Sequence, residues 1–160
     1  MRILSLLPSA TEILFQLGLG DAVVGVTFEC DFPPEARSKR IVSTSALPEG
    51  LTPAEIDAVV KQRMAAGEDL YRLDRNAFAD LDPTLVVTQD LCAVCAVDVT
   101  KVDDAIAYLG CRAEILTLDP MTLDEVIDSV RLVGELTGTI EFTAGVGSGT
   151  IVQIRIPLSA

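Results

Sequence analysis

Ile3-Leu4-Ser5-Leu6-Leu7-Pro8-Ser9-Ala10-Thr11-Glu12-Ile13 is an apolar run that breaks at a proline and resumes with helical spacing. Arg2 to Leu7 reads as a buried strand, because a short continuous apolar run bounded by a turn signal suits a strand covered on both faces. Ser9 and Glu12 are spaced as a capping box, which predicts a helix starting directly after the strand. That helix places Ile13, Leu14 and Leu17 on one face and stops at Gly18-Leu19-Gly20, where glycine can take a left-handed cap. A strand that passes through a tight turn into a helix is the repeating unit of an α/β fold.

The pattern recurs along the chain. Val23 to Val26 reads as a second strand, followed by Thr27-Phe28-Glu29-Cys30-Asp31-Phe32-Pro33-Pro34, a loop stiffened by two prolines. Ile41 to Val42 is too short to assign. Thr52-Pro53-Ala54-Glu55 combines a capping box with proline at the first helical position and predicts a helix from Pro53 to about Ala66. Leu70 to Leu73 reads as a brief strand, and Asp74 as the cap of a short helix through Phe78 to Leu81. Leu85 to Thr88 reads as a buried strand, Val102 to Leu109 as a helix and Glu114 to Leu118 as another strand. Thr122-Leu123-Asp124-Glu125 is a third capping box, opening a helix with Val126, Val130, Val133 and Leu136 on its inner face.

Alternating strands and helices imply a single Rossmann-like α/β lobe, three layers thick, with a mostly parallel sheet. From Thr139 the texture changes: 139–143 and 150–157 alternate like the arms of a β-hairpin around Ala144-Gly145-Val146-Gly147-Ser148-Gly149. The expected division is a lobe over 1–137 and a C-terminal β-hairpin tail over 138–160.

Composition narrows the function. With 160 residues, 49% of them hydrophobic and 22% charged, the chain has enough apolar side chains for one substantial core. A formal charge of −12 without clustered Lys or Arg argues against nucleic acid and anionic membrane surfaces. No apolar run approaches a membrane span, and Met1 to Ser9 lacks the apolar core of a secretory signal. As written the sequence reads as cytoplasmic, or as periplasmic or otherwise extracytoplasmic where a signal has been removed. The chain has no histidine, which excludes Ser-His-Asp and Cys-His nucleophiles and removes the usual neutral-pH base, so it reads as no enzyme.

In open α/β sheets ligands sit beyond the carboxyl ends of the strands. Three loops fall there: Pro8 and Ser9, Glu29 and Cys30, and Gln89-Asp90-Leu91-Cys92-Ala93-Val94-Cys95. The helix start behind Ser9 offers free amides to an anionic or carbonyl-bearing ligand; alternatively Ser9 only caps its helix. Cys92 and Cys95 form a Cys-x-x-Cys pair, which with Cys30 and a carboxylate such as Glu29 or Asp31 could hold a soft metal. Pocket and packing roles both fit the pair. Cys111 reads as a core residue.

These residues bring out a family likeness. Residues 3–13, Gly18-Leu19-Gly20-Asp21, Glu29-Cys30-Asp31-Phe32-Pro33-Pro34-Glu35-Ala36 and Thr88-Gln89-Asp90-Leu91-Cys92-Ala93-Val94-Cys95-Ala96-Val97 resemble the cobalamin and iron-siderophore (vitamin B12 type) substrate-binding proteins of ABC transporters. The likeness spans roughly residues 1–137. It implies one of two α/β lobes joined by a long helix, with Pro8, Ser9, Glu29, Cys30, Gln89, Asp90, Cys92 and Cys95 facing a cleft that takes a corrinoid or an iron chelate. It implies no resident cofactor. The partners it implies are the small-molecule ligand, an ABC permease, or a second copy meeting through the exposed lobe face or the tail. Phe28 stands where the family usually carries histidine. The helix from Thr122 resembles the start of the connecting helix, whereas the residues after it do not resemble a second lobe. Ile140-Glu141-Phe142 with residues 147–158 is instead similar to the closing hairpin of a histidine kinase ATPase domain. It lacks that domain's asparagine, Mg²⁺ and lid motifs, so ATP binding does not follow.

Overall fold

The computed structural model describes residues 1–68, 70–74, 77, 80–89, 112–144 and 150–154, with 142–144 and 150–154 described through their backbone alone. Among the described residues six strands form one sheet: β1 (Ile3–Ser5), β2 (Val23–Thr27), β3 (Arg40–Ser45), β4 (Tyr71–Leu73), β5 (Leu85–Thr88) and β6 (Glu114–Thr117). Their order is β4-β3-β2-β1-β5-β6, and every pairing is parallel except that of β4 with β3. The mostly parallel α/β sheet expected from the sequence is present.

Burial follows the pleat. Ile3, Val23, Leu85 and Val87 face one side of the sheet, where they meet Leu7, Ala10, Leu14 and Leu17 of the helical layer. Leu4 and Val86 face the other side with Leu6, Val42 and Leu81. Alternate residues of β1 and β5 thus serve opposite cores, which is why both strands read as unbroken apolar runs. The β1–β5 ladder continues past the strand end, where Leu6 N donates to Val87 O at 2.8 Å. Gly25 in β2 lets the layers approach, because a Cβ there would stand 2.8 Å from Leu4 Cδ1.

Helix α1 (Pro8–Gln16) departs from the expected capping box. Leu7 is the N-cap in extended backbone, no side chain caps the helix, and Ser9 is an exposed residue of the first turn. The reason lies one residue earlier: Leu7 is anchored in the core and Pro8 supplies a helical φ with no amide to satisfy, so the helix begins before Ser9 can cap it. By contrast, α2 (Pro53–Ala65) and α3 (Leu123–Thr137) both show the complete box, with Thr52 paired to Glu55 and Thr122 to Glu125. α2 is placed as its sequence predicts, yet none of its residues is buried.

α3 lies beside α1 and adds Val133 to the shared core, with Leu136 partly buried against it. Val126 and Val130, expected on the same inner face, are exposed together with Leu123 and Ile127. Only the second half of the helix packs on the lobe. Gly138 takes a left-handed φ of 72° and turns the chain into β7 (Ile140–Ala144), which pairs antiparallel with β8 (Thr150–Ile154) as a separate two-stranded sheet. The hairpin is anchored through Ile140, which is buried in the core formed by α1, α3 and the sheet. Ile41 and Val42, too short a run to assign from sequence, lie in the six-residue strand β3, because pairing with both β2 and β4 supplies what the apolar run does not. The helices read over 75–81 and 102–109 lie wholly or largely outside the described residues.

Candidate ligand-binding edge

Strands β2, β1 and β5 are adjacent and parallel, so their carboxyl ends lie along one edge. The sheet also changes direction there: from β1 the chain fills β2 and β3 on one side and later β5 and β6 on the other. This is a topological switch point, where diverging connections leave a crevice at the strand ends. It brings together Pro8 and Ser9 of α1, Glu29 and Cys30 after β2, and Gln89 after β5. Pro8 and Gln89 are half-buried, whereas Ser9 and Glu29 are exposed. Asp90, Cys92, Cys95 and Cys111 lie outside the described residues.

Cys30 does not face the solvent. Its side chain is only 3% exposed, behind the edge, and its amide donates to Thr27 O at 3.0 Å. Thr11 Oγ1 sits 3.0 Å from Cys30 Sγ and 2.8 Å from Ser5 Oγ. One hydroxyl proton serves one acceptor at a time, with the serine hydroxyl and the thiol able to donate in return. The three side chains tie the end of β1, the first turns of α1 and the loop after β2 into one buried polar unit. Burial pushes the Cys30 thiol above its ordinary value, the hydrogen bonds from Thr11 and from the backbone pull the other way, and the charges of Glu29 and Asp31 add to the rise. A protonated, buried thiol is a poor nucleophile and a poor metal ligand. Among the described residues no group of three or more His, Cys, Asp and Glu is arranged to hold a metal ion.

The edge also contains residues that sequence reasoning passed over. β4 runs antiparallel to β3, so Tyr71 at its start pairs with Ser45 at the end of β3 and reaches the same edge. Tyr71 Oη donates to Glu29 Oε2 at 3.1 Å, and its ring lies 6.0 Å from that of Phe28, tilted by 42°. A tyrosine in a predicted short strand carried no positional signal without the strand's direction. Beyond Glu29, Asp31 is held by Arg37 at 3.4 Å on the surface. Further along the edge, a shallow groove of about 200 Å³ separates the end of β6 from α3, floored by Leu118, Pro120 and Leu132.

With this geometry the chain can be set beside known proteins. A periplasmic solute-binding protein of Staphylococcus epidermidis, described as a possible iron binder, superposes with a TM-score of 0.57 at 24% identity over 86% of this chain and 42% of its own. A periplasmic heme-binding protein of Roseiflexus gives 0.56 at 27% identity over 86% and 41%. The periplasmic vitamin B12 binding protein of Vibrio cholerae gives 0.50 at 24% identity over 84% and 40%. An uncharacterized ABC transporter substrate-binding lipoprotein of Bacillus subtilis is 56% identical over 36 residues, 22% of this chain and 12% of that protein. This is the fold of the B12- and iron-siderophore-type substrate-binding family. The chain spans about two fifths of the length of the substrate-binding structures it matches. No protein-family profile matches it. Among the described residues no helix is long and apolar enough to cross a membrane. The substrate-binding proteins it resembles are described as periplasmic or as a lipoprotein, and none of those descriptions is cytoplasmic.

Proposed function

We propose that the chain is one lobe of an extracytoplasmic ligand-binding protein of the ABC transporter type, which holds a corrinoid or an iron chelate without chemical turnover and presents it to a permease. The observation that carries this reading is the convergence of Pro8, Ser9, Glu29 and Gln89 at the switch point of a substrate-binding-type sheet. Asp90, Cys92 and Cys95 follow Gln89 directly in sequence and complete the proposed wall. Cys30 stands behind that wall as a positioning residue. Its burial weighs against the alternative of a thiol or metal centre built on Cys30, Cys92 and Cys95.

One lobe covers one side of a ligand, whereas small-molecule sites commonly bury about 70 to 90% of theirs. Affinity is therefore weak for this chain alone and rises where a second lobe, or a second copy, supplies the facing wall. Titration with cyanocobalamin, dicyanocobinamide and a ferric hydroxamate chelate, followed by visible absorbance, tests the reading. A saturable change with at least one of them is the expected result, and no change with any at millimolar concentration refutes it.

A further inference from the structure

We infer that Phe28, Glu29 and Tyr71 form a selectivity wall for a flat, ring-bearing ligand whose rim carries N–H donors rather than carboxylates. The inference rests on the reading of this edge as ligand-binding and adds what the edge selects. The chain has few aromatic residues, five Phe and two Tyr in 160. Of the four whose side chains are described, Phe15 belongs to α1 and packs against the core, while Phe28, Phe32 and Tyr71 gather at the carboxyl edge or in the loop that leaves it. Phe28 and Phe32 keep 37% and 52% of their surface in solvent, although burial would be favourable for both. The tilted Phe28–Tyr71 pair offers an apolar platform for the face of a planar ring.

Glu29 sets the polarity of the rim. The Tyr71 hydroxyl holds Oε2 and thereby fixes the carboxylate beside the platform, with Oε1 available to accept from a ligand. An oriented carboxylate acceptor favours amide or amine N–H groups through a charge-assisted bond and disfavours a ligand carboxylate at the same place. The exposed Asp31 lies two residues away and keeps the surroundings anionic, although Arg37 offsets it in part. Tyr71 comes from the antiparallel strand, so this selectivity depends on β4 and not on the three parallel strand ends alone.

Two macrocycles with different rims test this: dicyanocobinamide, whose rim bears amides, and hemin, whose rim bears two carboxylates. Each is titrated by visible absorbance into the wild type and into Glu29→Gln, Phe28→Ala and Tyr71→Phe, with far-ultraviolet circular dichroism confirming the fold. The wild type should prefer dicyanocobinamide by about tenfold or more, the scale of a hydrogen bond to a charged group. Glu29→Gln should erase most of that preference, Tyr71→Phe should reduce it, and Phe28→Ala should weaken both ligands several-fold. Equal or tighter hemin binding by the wild type overturns the inference. So does unchanged binding by folded Glu29→Gln and Phe28→Ala, and the broader ligand-binding reading then still stands. Binding of neither macrocycle by the wild type overturns the wall, and the broader reading falls with it only where cyanocobalamin and the ferric hydroxamate chelate also fail to bind.

Discussion

Thr11 Oγ1 lies 3.0 Å from Cys30 Sγ, so a side chain of α1 touches the loop that follows β2 beneath the proposed binding edge. Thr11 also lies 3.3 Å from Leu7 O, and all of these groups are buried. Removing the Thr11 hydroxyl takes the side-chain partner from Cys30 Sγ and one of two from Ser5 Oγ, while Leu7 O keeps the amide of Thr11 and the hydroxyl of Ser5. Thr11→Val preserves the volume and should cost about 0.5–1.5 kcal/mol, the net worth of a typical intramolecular hydrogen bond. The measurement is the urea midpoint of reduced protein, and an unchanged midpoint would show that the triad is energetically idle.

The same thiol makes stability depend on pH. Burial, the largest influence, raises the Cys30 value above the ordinary 9.0. In the unfolded chain the thiol loses its proton near the ordinary value, whereas in the folded chain it keeps it to higher pH. The unfolded state then binds fewer protons, so stability is full below about pH 9 and falls as pH rises toward the folded-state value. Urea unfolding at several pH values from neutral to alkaline, compared with Cys30→Ala, isolates this group from the other cysteines. A wild-type slope no steeper than that of Cys30→Ala would count against it.

Much of this architecture can be read from local chemistry, and the exceptions have identifiable causes. Leu85 to Thr88 and the boxes at Thr52 and Thr122 are decided within a few residues, and they stand where local rules put them. The box at Ser9 fails because a core contact at Leu7 and the ring of Pro8 fix the helix start first. Val126 and Val130 match an inner face by periodicity, yet the lobe reaches only as far as Ser129 and Val133 along α3, a limit set by tertiary placement. At the edge, Ser9, Glu29 and Gln89 follow from strand ends alone. The contribution of Tyr71 depends on the direction of β4, and the burial of Cys30 on packing that includes Thr11, which lies far from it in sequence and is itself bonded to Ser5.

The two capping boxes offer a comparison in which the local chemistry is the same and the packing differs. Thr52 and Thr122 accept from the amides of Glu55 and Glu125 at 3.4 and 3.3 Å. Replacing such a cap by alanine typically costs about 1 kcal/mol. α3 joins the common core, so Thr122→Ala should lower the global unfolding free energy by that amount, read as a lower urea midpoint at unchanged slope. No residue of α2 is fully buried, although Val59, Val60 and Arg63 are half-buried, so Thr52→Ala should change the midpoint less than Thr122→Ala and accelerate amide exchange mainly within 53–65. Equal midpoint shifts would mean that α2 is coupled to the lobe more tightly than its exposure indicates.

The attachment of the hairpin rests on Gly134 of α3, where an added Cβ would meet Ile140 Cβ at 2.8 Å. Both residues are buried, and Thr139 N donates to Gly134 O at 2.9 Å, so neither side has room to yield. Gly134→Ala should improve the intrinsic helix propensity of α3 and still destabilise the protein, by about 1–3 kcal/mol, because overpacking a filled contact outweighs the backbone gain. The strain belongs largely to one pair, so the two substitutions should not be additive: Ile140→Ala removes Cγ1 and Cδ1, the atoms nearest the added methyl, and leaves only the Cβ contact, so Gly134→Ala should cost less on that background than in the wild type. Urea midpoints of the wild type, both single variants and the double variant complete the cycle. A penalty for Gly134→Ala as large in the double variant as in the wild type would place its origin in the helix and not in the seam between α3 and β7.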